Sequence, residues 1–172
     1  MTNGKYALTY LLLLLAQICI ANYCNFSWYL YLSFLPVMAF LVPIGYNSVI
    51  AMLLAFASGF AVDLFSDGVV GLNTFAIVPV AMMRRGIVSV VYGDEFFVRQ
   101  ENLSMSRHGI VKMIFAIILC QALFLALYIF ADSAGTRPLW FNLTRFGISF
   151  AAGCLISIVV ANILEPEKIG LS

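Results

Sequence analysis

SVIAMLLAFASGFAVDLFSDGVVGLN, Ser48–Asn73, decides the fold. Its apolar run carries a single charge, Asp63, near the C-terminal end. Ser66, Asp67 and Gly68 then interrupt the run, and apolar residues resume at Val69. A helix needs about 20 apolar residues to cross a bilayer. The stretch therefore reads as one span, a tight turn and the start of the next span. Ser and Asp bond readily to nearby backbone groups, and Gly accepts a positive φ, so the turn has the right chemistry. Ala51, Ala55, Gly59 and Asp63 recur at intervals of four and form one helical stripe of small residues ending in a carboxylate. In lipid, small residues let backbones approach closely, and a carboxylate on the same stripe belongs against protein or water. Asp63 is thus expected to point inward, with Asn73 at the start of the next helix as its partner and Asp67 as a possible cap for that helix.

Composition agrees along the rest of the chain. The 172 residues are 63% hydrophobic and 10% charged, with a mean hydropathy of +1.03, whereas a soluble domain is about half apolar and about a quarter charged. Apolar runs near membrane-spanning length recur throughout, which predicts an all-α, polytopic bundle of about six transmembrane helices in one integral-membrane domain, residues 1–172. The expected spans are 6–23, 26–44, 48–66, 69–92, 109–131 and 146–164. Pro36 and Pro43 predict that the second is kinked or broken. The first run follows Lys5 and lacks a small-residue cleavage site, so it is expected to be retained. Residues 93–107 are assigned to a polar cytoplasmic loop.

Lys and Arg set the orientation. An arrangement with both termini inside places Lys5, Arg84, Arg85, Arg99, Arg107, Lys112 and Lys168 on the cytoplasmic side and leaves Arg137 and Arg145 outside. Arg84, Arg85, Arg99 and Arg107 are the main topology signal, with Arg84 and Arg85 either reaching the headgroups or lying on a helix that leaves the membrane. Tyr6, Tyr10, Trp28, Tyr29, Tyr46, Tyr92 and Trp140 fall near proposed span ends, as interfacial aromatics do.

Several function classes find little support. A net charge of +1 without a basic run excludes nucleic acid as a natural partner. Cys19, Cys24, Cys120 and Cys154 lack metal spacing and read as packing residues. His108, the one histidine, reads as a solvated loop residue. An intramembrane aspartyl protease needs two facing carboxylates, but Asp67, Asp94 and Asp132 fall at span ends or in loops. No catalytic residue, metal or cofactor is expected. A second small stripe, Ser149, Gly153, Ser157 and Ala161, serves either as an internal seam or as a docking face for another protein's helix.

Gly59-x-x-x-Asp63-Leu64-x-Ser66, with Gly71 eight positions beyond the aspartate, resembles the central signature of the rod-shape-determining MreD family. The order of the remaining elements is also similar. The resemblance implies a non-enzymatic inner-membrane component of the bacterial cell-elongation machinery that binds MreC. Through MreC it would connect MreB filaments to the peptidoglycan-synthesising pair of RodA and a class B penicillin-binding protein. It further implies a fold similar to the substrate-binding subunits of energy-coupling-factor transporters. The alternative is a small-molecule-binding subunit of a vitamin-type transporter, with a pocket where Asp63, Asp67, Asn73, Trp140 and Asn142 converge.

Overall fold

The computed structural model describes residues 2–23, 30–43, 46–66, 69–93, 109–134 and 136–164. Among them every regular element is a helix: α1 (Thr2–Tyr23), α2 (Leu35–Phe40), α3 (Ser48–Phe65), α4 (Leu72–Tyr92), α5 (Ile110–Ser133) and α6 (Leu139–Leu164). All except α2 are long and apolar enough to cross a membrane. Leu11, Leu53, Phe56, Val111, Phe130 and Leu155 are among the many large apolar side chains left exposed on the outside of the bundle. Such coverage suits acyl chains and would be a liability in water. The chain is a multi-pass membrane protein.

The second span departs furthest from expectation. The span 26–44 is expected to be kinked or broken; it is broken, and more severely than a kink, since residues 30–34 are non-helical and α2 is only six residues long. The prolines explain the brevity. Pro36 fits the first turn, where its missing N–H costs nothing. Pro43 disfavours helical geometry at Val42 and halts propagation. Less than two turns fit between them.

α2 is nonetheless the centre of the molecule. It touches all five other described helices, and Leu35, Val37, Met38, Ala39 and Phe40 are at most 1% exposed. The boundaries elsewhere shift modestly. α1 begins at Thr2 rather than Tyr6, and α4 begins at Leu72 rather than 69 but reaches Tyr92 as expected. α6 begins at Leu139, not 146, because Pro138 opens it: the Pro138 carbonyl accepts the N–H groups of Phe141 (3.1 Å) and Asn142 (3.3 Å). Trp140 and Asn142 consequently lie on a helix rather than in a loop. Residues 94–108, with Arg99, Arg107 and His108, lie outside the described residues, as do Cys24, Trp28, Tyr29, Asp67, Gly68 and Lys168.

Candidate functional site

A helix begins with backbone N–H groups that have no partner within the helix. In α4 those of Asn73 and Thr74 are taken up by another helix. Asp63, 2% exposed near the end of α3, accepts the Asn73 N–H and the Asn73 Nδ2 on Oδ1, both at 3.0 Å. Its Oδ2 accepts the Thr74 N–H at 3.0 Å and the Thr74 hydroxyl at 2.7 Å. One carboxylate thus caps the neighbouring helix from outside its own chain segment. The negative charge also lies at the positive end of the α4 dipole. Gly71 occupies the position just before α4 with φ 98°, a left-handed conformation that only glycine adopts cheaply. A Cβ on Gly71 would meet nothing within 4 Å, so conformation rather than space requires glycine there.

Gly59 makes this reach possible. A Cβ placed on it would lie 2.8 Å from Ile77 Cγ2, 2.9 Å from Thr74 Cα and 3.0 Å from Thr74 N. Ala51 and Ala55, on the same stripe, are 0% exposed. The first small stripe is therefore the seam inside the α3–α4 hairpin, and Asp63 is its terminal bolt. Ser66 closes α3, its N–H donating to the Val62 carbonyl at 2.9 Å. Leu64 faces outward at 55% exposure.

The non-helical residues 30–34 pose the opposite problem, because exposed backbone polar groups are not tolerated within a membrane. Side chains from three helices supply the partners. Gln17 of α1 donates to the Leu32 carbonyl (3.3 Å) and accepts the Phe34 N–H (3.0 Å). Gln121 of α5 donates to the Ser33 carbonyl at 3.0 Å. Ser149 of α6 accepts the Tyr31 N–H at 2.9 Å. Ser157 donates to Gln121 Oε1 at 3.4 Å, fixing that amide's orientation.

The second small stripe is likewise internal. Ser149, Gly153, Ser157 and Ala161 are all buried, and a Cβ on Gly153 would lie 2.2 Å from Gln121 Nε2. Of the two readings left open by the sequence, the described contacts match the internal seam. A docking role for this face would require the bundle to open.

Arg84 corrects a sequence expectation. α4 runs on to Tyr92 as expected, yet Arg84 itself neither reaches the headgroups nor faces outward: it is buried at 6% exposure, donating from Nε to the Phe40 carbonyl (2.9 Å) and from its terminal nitrogen to the Val42 carbonyl. Phe40 is the last residue of α2 and Val42 lies two positions beyond it, so the guanidinium covers carbonyls at and just after the helix C-terminus, where a cation also complements the helix dipole. Tyr6, expected in an interfacial belt, is buried too and donates to the Leu41 carbonyl at 3.1 Å. Arg85 is exposed and retains the outward position expected of it.

At the end of the bundle where α3 meets α4, Asp132 of α5 pairs with Arg145 and, at 3.2 Å, with Arg137. The Arg145 guanidinium also sits 6.0 Å over the Tyr128 ring. The convergence suggested for a ligand pocket does not form among the described residues. Asp63 and Asn73 are bound to each other, while Trp140 is 76% exposed on the flank of α6. Trp140 instead lines a shallow, mainly apolar groove with Pro138, Phe141, Thr144 and Ile148. Cys19, Cys120 and Cys154 are free thiols.

Sequence reasoning passed over Thr74, Tyr31, Gln17 and the Asp132–Arg145 pair. The signal for Gln17 was present: an amide inside an apolar run needs a partner, and a proline-broken span supplies one. The chain matches no protein-family model, no curated protein and no solved structure.

Proposed function

We propose that this chain is a non-enzymatic, multi-pass inner-membrane component of the bacterial cell-elongation complex, holding MreC and, through it, peptidoglycan synthesis in place. The observation that carries the reading is the consumption of Asp63 by four internal donors. A carboxylate bonded in this way, beside the tight approach at Gly59, builds a fixed hairpin. It offers no open position to a substrate or ion. A scaffold needs such rigidity, and the residues that carry the resemblance, Gly59, Asp63 and Gly71, are among those that create it.

Orientation follows from charge. Lys5, Arg85 and Lys112 are exposed at one end of the bundle, whereas Arg137 and Arg145 at the other end share Asp132. Lys and Arg beside span ends favour the cytoplasm, so both termini are assigned to the side that carries the larger number of them. Affinity capture with MreC, together with rescue of rod shape in a depleted strain, tests the proposal. Co-purification and rescue are expected. Normal abundance in the membrane with neither result would overturn it.

One feature favours the transporter-type alternative. Unwound backbone buried within a membrane bundle is a device of transport proteins, and residues 30–34 have it. Four of their backbone groups, however, the Tyr31 and Phe34 N–H and the Leu32 and Ser33 carbonyls, are already taken by Gln17, Gln121 and Ser149. Calorimetry of the purified protein against a panel of vitamins separates the two readings, since saturable heat requires a pocket.

A further inference from the structure

Tyr31 belongs to no helix, yet three helices hold it. Its N–H donates to Ser149 of α6. Its hydroxyl donates to Asn73 Oδ1 at the start of α4. Its ring stacks on Tyr128 of α5, with centroids 4.0 Å apart and planes 16° from parallel. Phe124 extends the stack at 6.5 Å. On one side of Tyr31, Asn73 also donates to Asp63. On the other, Tyr128 lies beneath the Arg145 guanidinium, which is paired with Asp132.

These contacts form one chain from carboxylate to carboxylate, buried as far as Arg145 and half-buried at its end: Asp63, Asn73, Tyr31, Tyr128, Arg145, Asp132. We propose that Tyr31 joins the Asp63 hairpin and the Asp132 corner into one cooperative unit, so that a change at the Asp132–Arg145 pair alters how firmly the start of α4 is held. The reasoning is geometric. Asn73 has its amide nitrogen on Asp63, so its carbonyl oxygen is the atom left to receive Tyr31. The amide cannot turn without breaking both contacts. Tyr31 in turn cannot shift toward α5 without losing Asn73, because its ring already lies against Tyr128. Displacement of Arg145 removes the cation held over the Tyr128 ring and frees Tyr128 to move. The joint rests on side-chain contacts in a water-poor interior, where such networks couple more strongly than isolated pairs.

The proposal concerns internal coupling and stands whether or not the scaffold reading is correct. A double-mutant cycle on the full-length protein in detergent tests it, using Asp63→Asn, Asp132→Asn and the double variant, each also in a Tyr31→Phe background. Distant sites that share no partner shift stability additively. Here the shift in melting temperature of the double variant is expected to differ from the sum of the single shifts by about 3 °C or more. That difference is expected to vanish with Tyr31→Phe, which keeps the ring and removes the hydroxyl. Additive shifts, or a non-additivity that survives in Tyr31→Phe, overturn the proposal. Hydrogen exchange at the Asn73 and Thr74 amides of Arg145→Lys supplies a second measurement that does not depend on the cycle. Lysine keeps the charge beside Asp132 but not the planar group over Tyr128. Exchange at least about threefold faster at both amides is expected from the small loss of protection, and unchanged exchange counts against the joint.

Discussion

Replacing Asp63 by Asn tests the capping geometry more sharply than deleting the side chain. Each carboxylate oxygen accepts two donors, Oδ1 from Asn73 and Oδ2 from Thr74. An amide has one oxygen and one NH2 group. Its oxygen stays with Asn73, whose amide orientation is fixed by Tyr31. Its NH2 group then faces Thr74, where the hydroxyl can rotate to accept but the backbone N–H has nothing to bond. An unsatisfied buried N–H costs about 1–3 kcal/mol, and loss of the charge at the α4 dipole adds about 0.5–1 kcal/mol. Asp63→Asn should therefore cost about 1.5–4 kcal/mol. Asp63→Leu strands both backbone N–H groups and the Asn73 amide, so its cost should be about twice that. With about 2–4 °C per kcal/mol for a chain of this size, Asn lowers the melting temperature in detergent by about 3–16 °C and Leu by more. Thermal denaturation of both variants, monitored by tryptophan fluorescence or by aggregation, reads this directly. An Asp63→Asn protein that melts with the wild type would refute the capping argument, because it would mean that one oxygen suffices.

Three further outcomes follow from close contacts. Gly59→Ala should destabilise the protein by about 1–3 kcal/mol, since its Cβ would fall within 3.0 Å of Thr74 backbone atoms; Leu53→Ala, on the exposed face, should melt within about 2 °C of wild type, and equal loss in both would remove the seam. Gly153→Ala should displace Gln121 from the Ser33 carbonyl, and its melting temperature should recover partly in a Gln121→Ala background, where no clash remains; no recovery would show that the clash lies elsewhere. Arg84→Glu should abolish stable protein in the membrane, because a buried carboxylate would face two carbonyls, whereas Arg85→Glu should leave melting within about 2 °C of wild type; immunoblots of membranes and melting curves compare them, and equal abundance and stability would contradict the burial of Arg84.

Helix number and the inward direction of Asp63 were legible because both follow from local pattern. Long apolar runs give spans, and an interval of four gives a face. The Asp63–Asn73 contact was also within reach, since a tight hairpin brings together residues ten positions apart. Thr74 was not, because its place in the cap depends on how closely Gly59 lets α4 approach. The collapse of the second span to six helical residues was only half legible: Pro36 and Pro43 announced a break, but its extent depended on whether Gln17, Gln121 and Ser149 would be near enough to satisfy the unwound backbone. Arg84 illustrates the same limit. Beside Arg85 it reads as a topology signal, and only the position of the α2 carbonyls, more than forty residues earlier, reveals its burial. Both stripes of small residues were visible as faces, while their partners, α4 for one and Gln121 for the other, were set by the packing.

The dependence of residues 30–34 on distant side chains bears on how the protein is made. A ribosome emits this segment early, and Gln17 is already available when it emerges. The Gln121 amide follows almost ninety residues later, and the Ser149 hydroxyl later still. Until then the nascent segment has polar backbone that the hydrocarbon interior cannot accommodate. It must wait in water, at the headgroups or within the insertion machinery while α3 and α4 enter the bilayer. The element at the centre of the finished bundle is accordingly among the last to settle, and a chain truncated before α6 should remain a substrate for membrane quality control even though most of its spans have been synthesised.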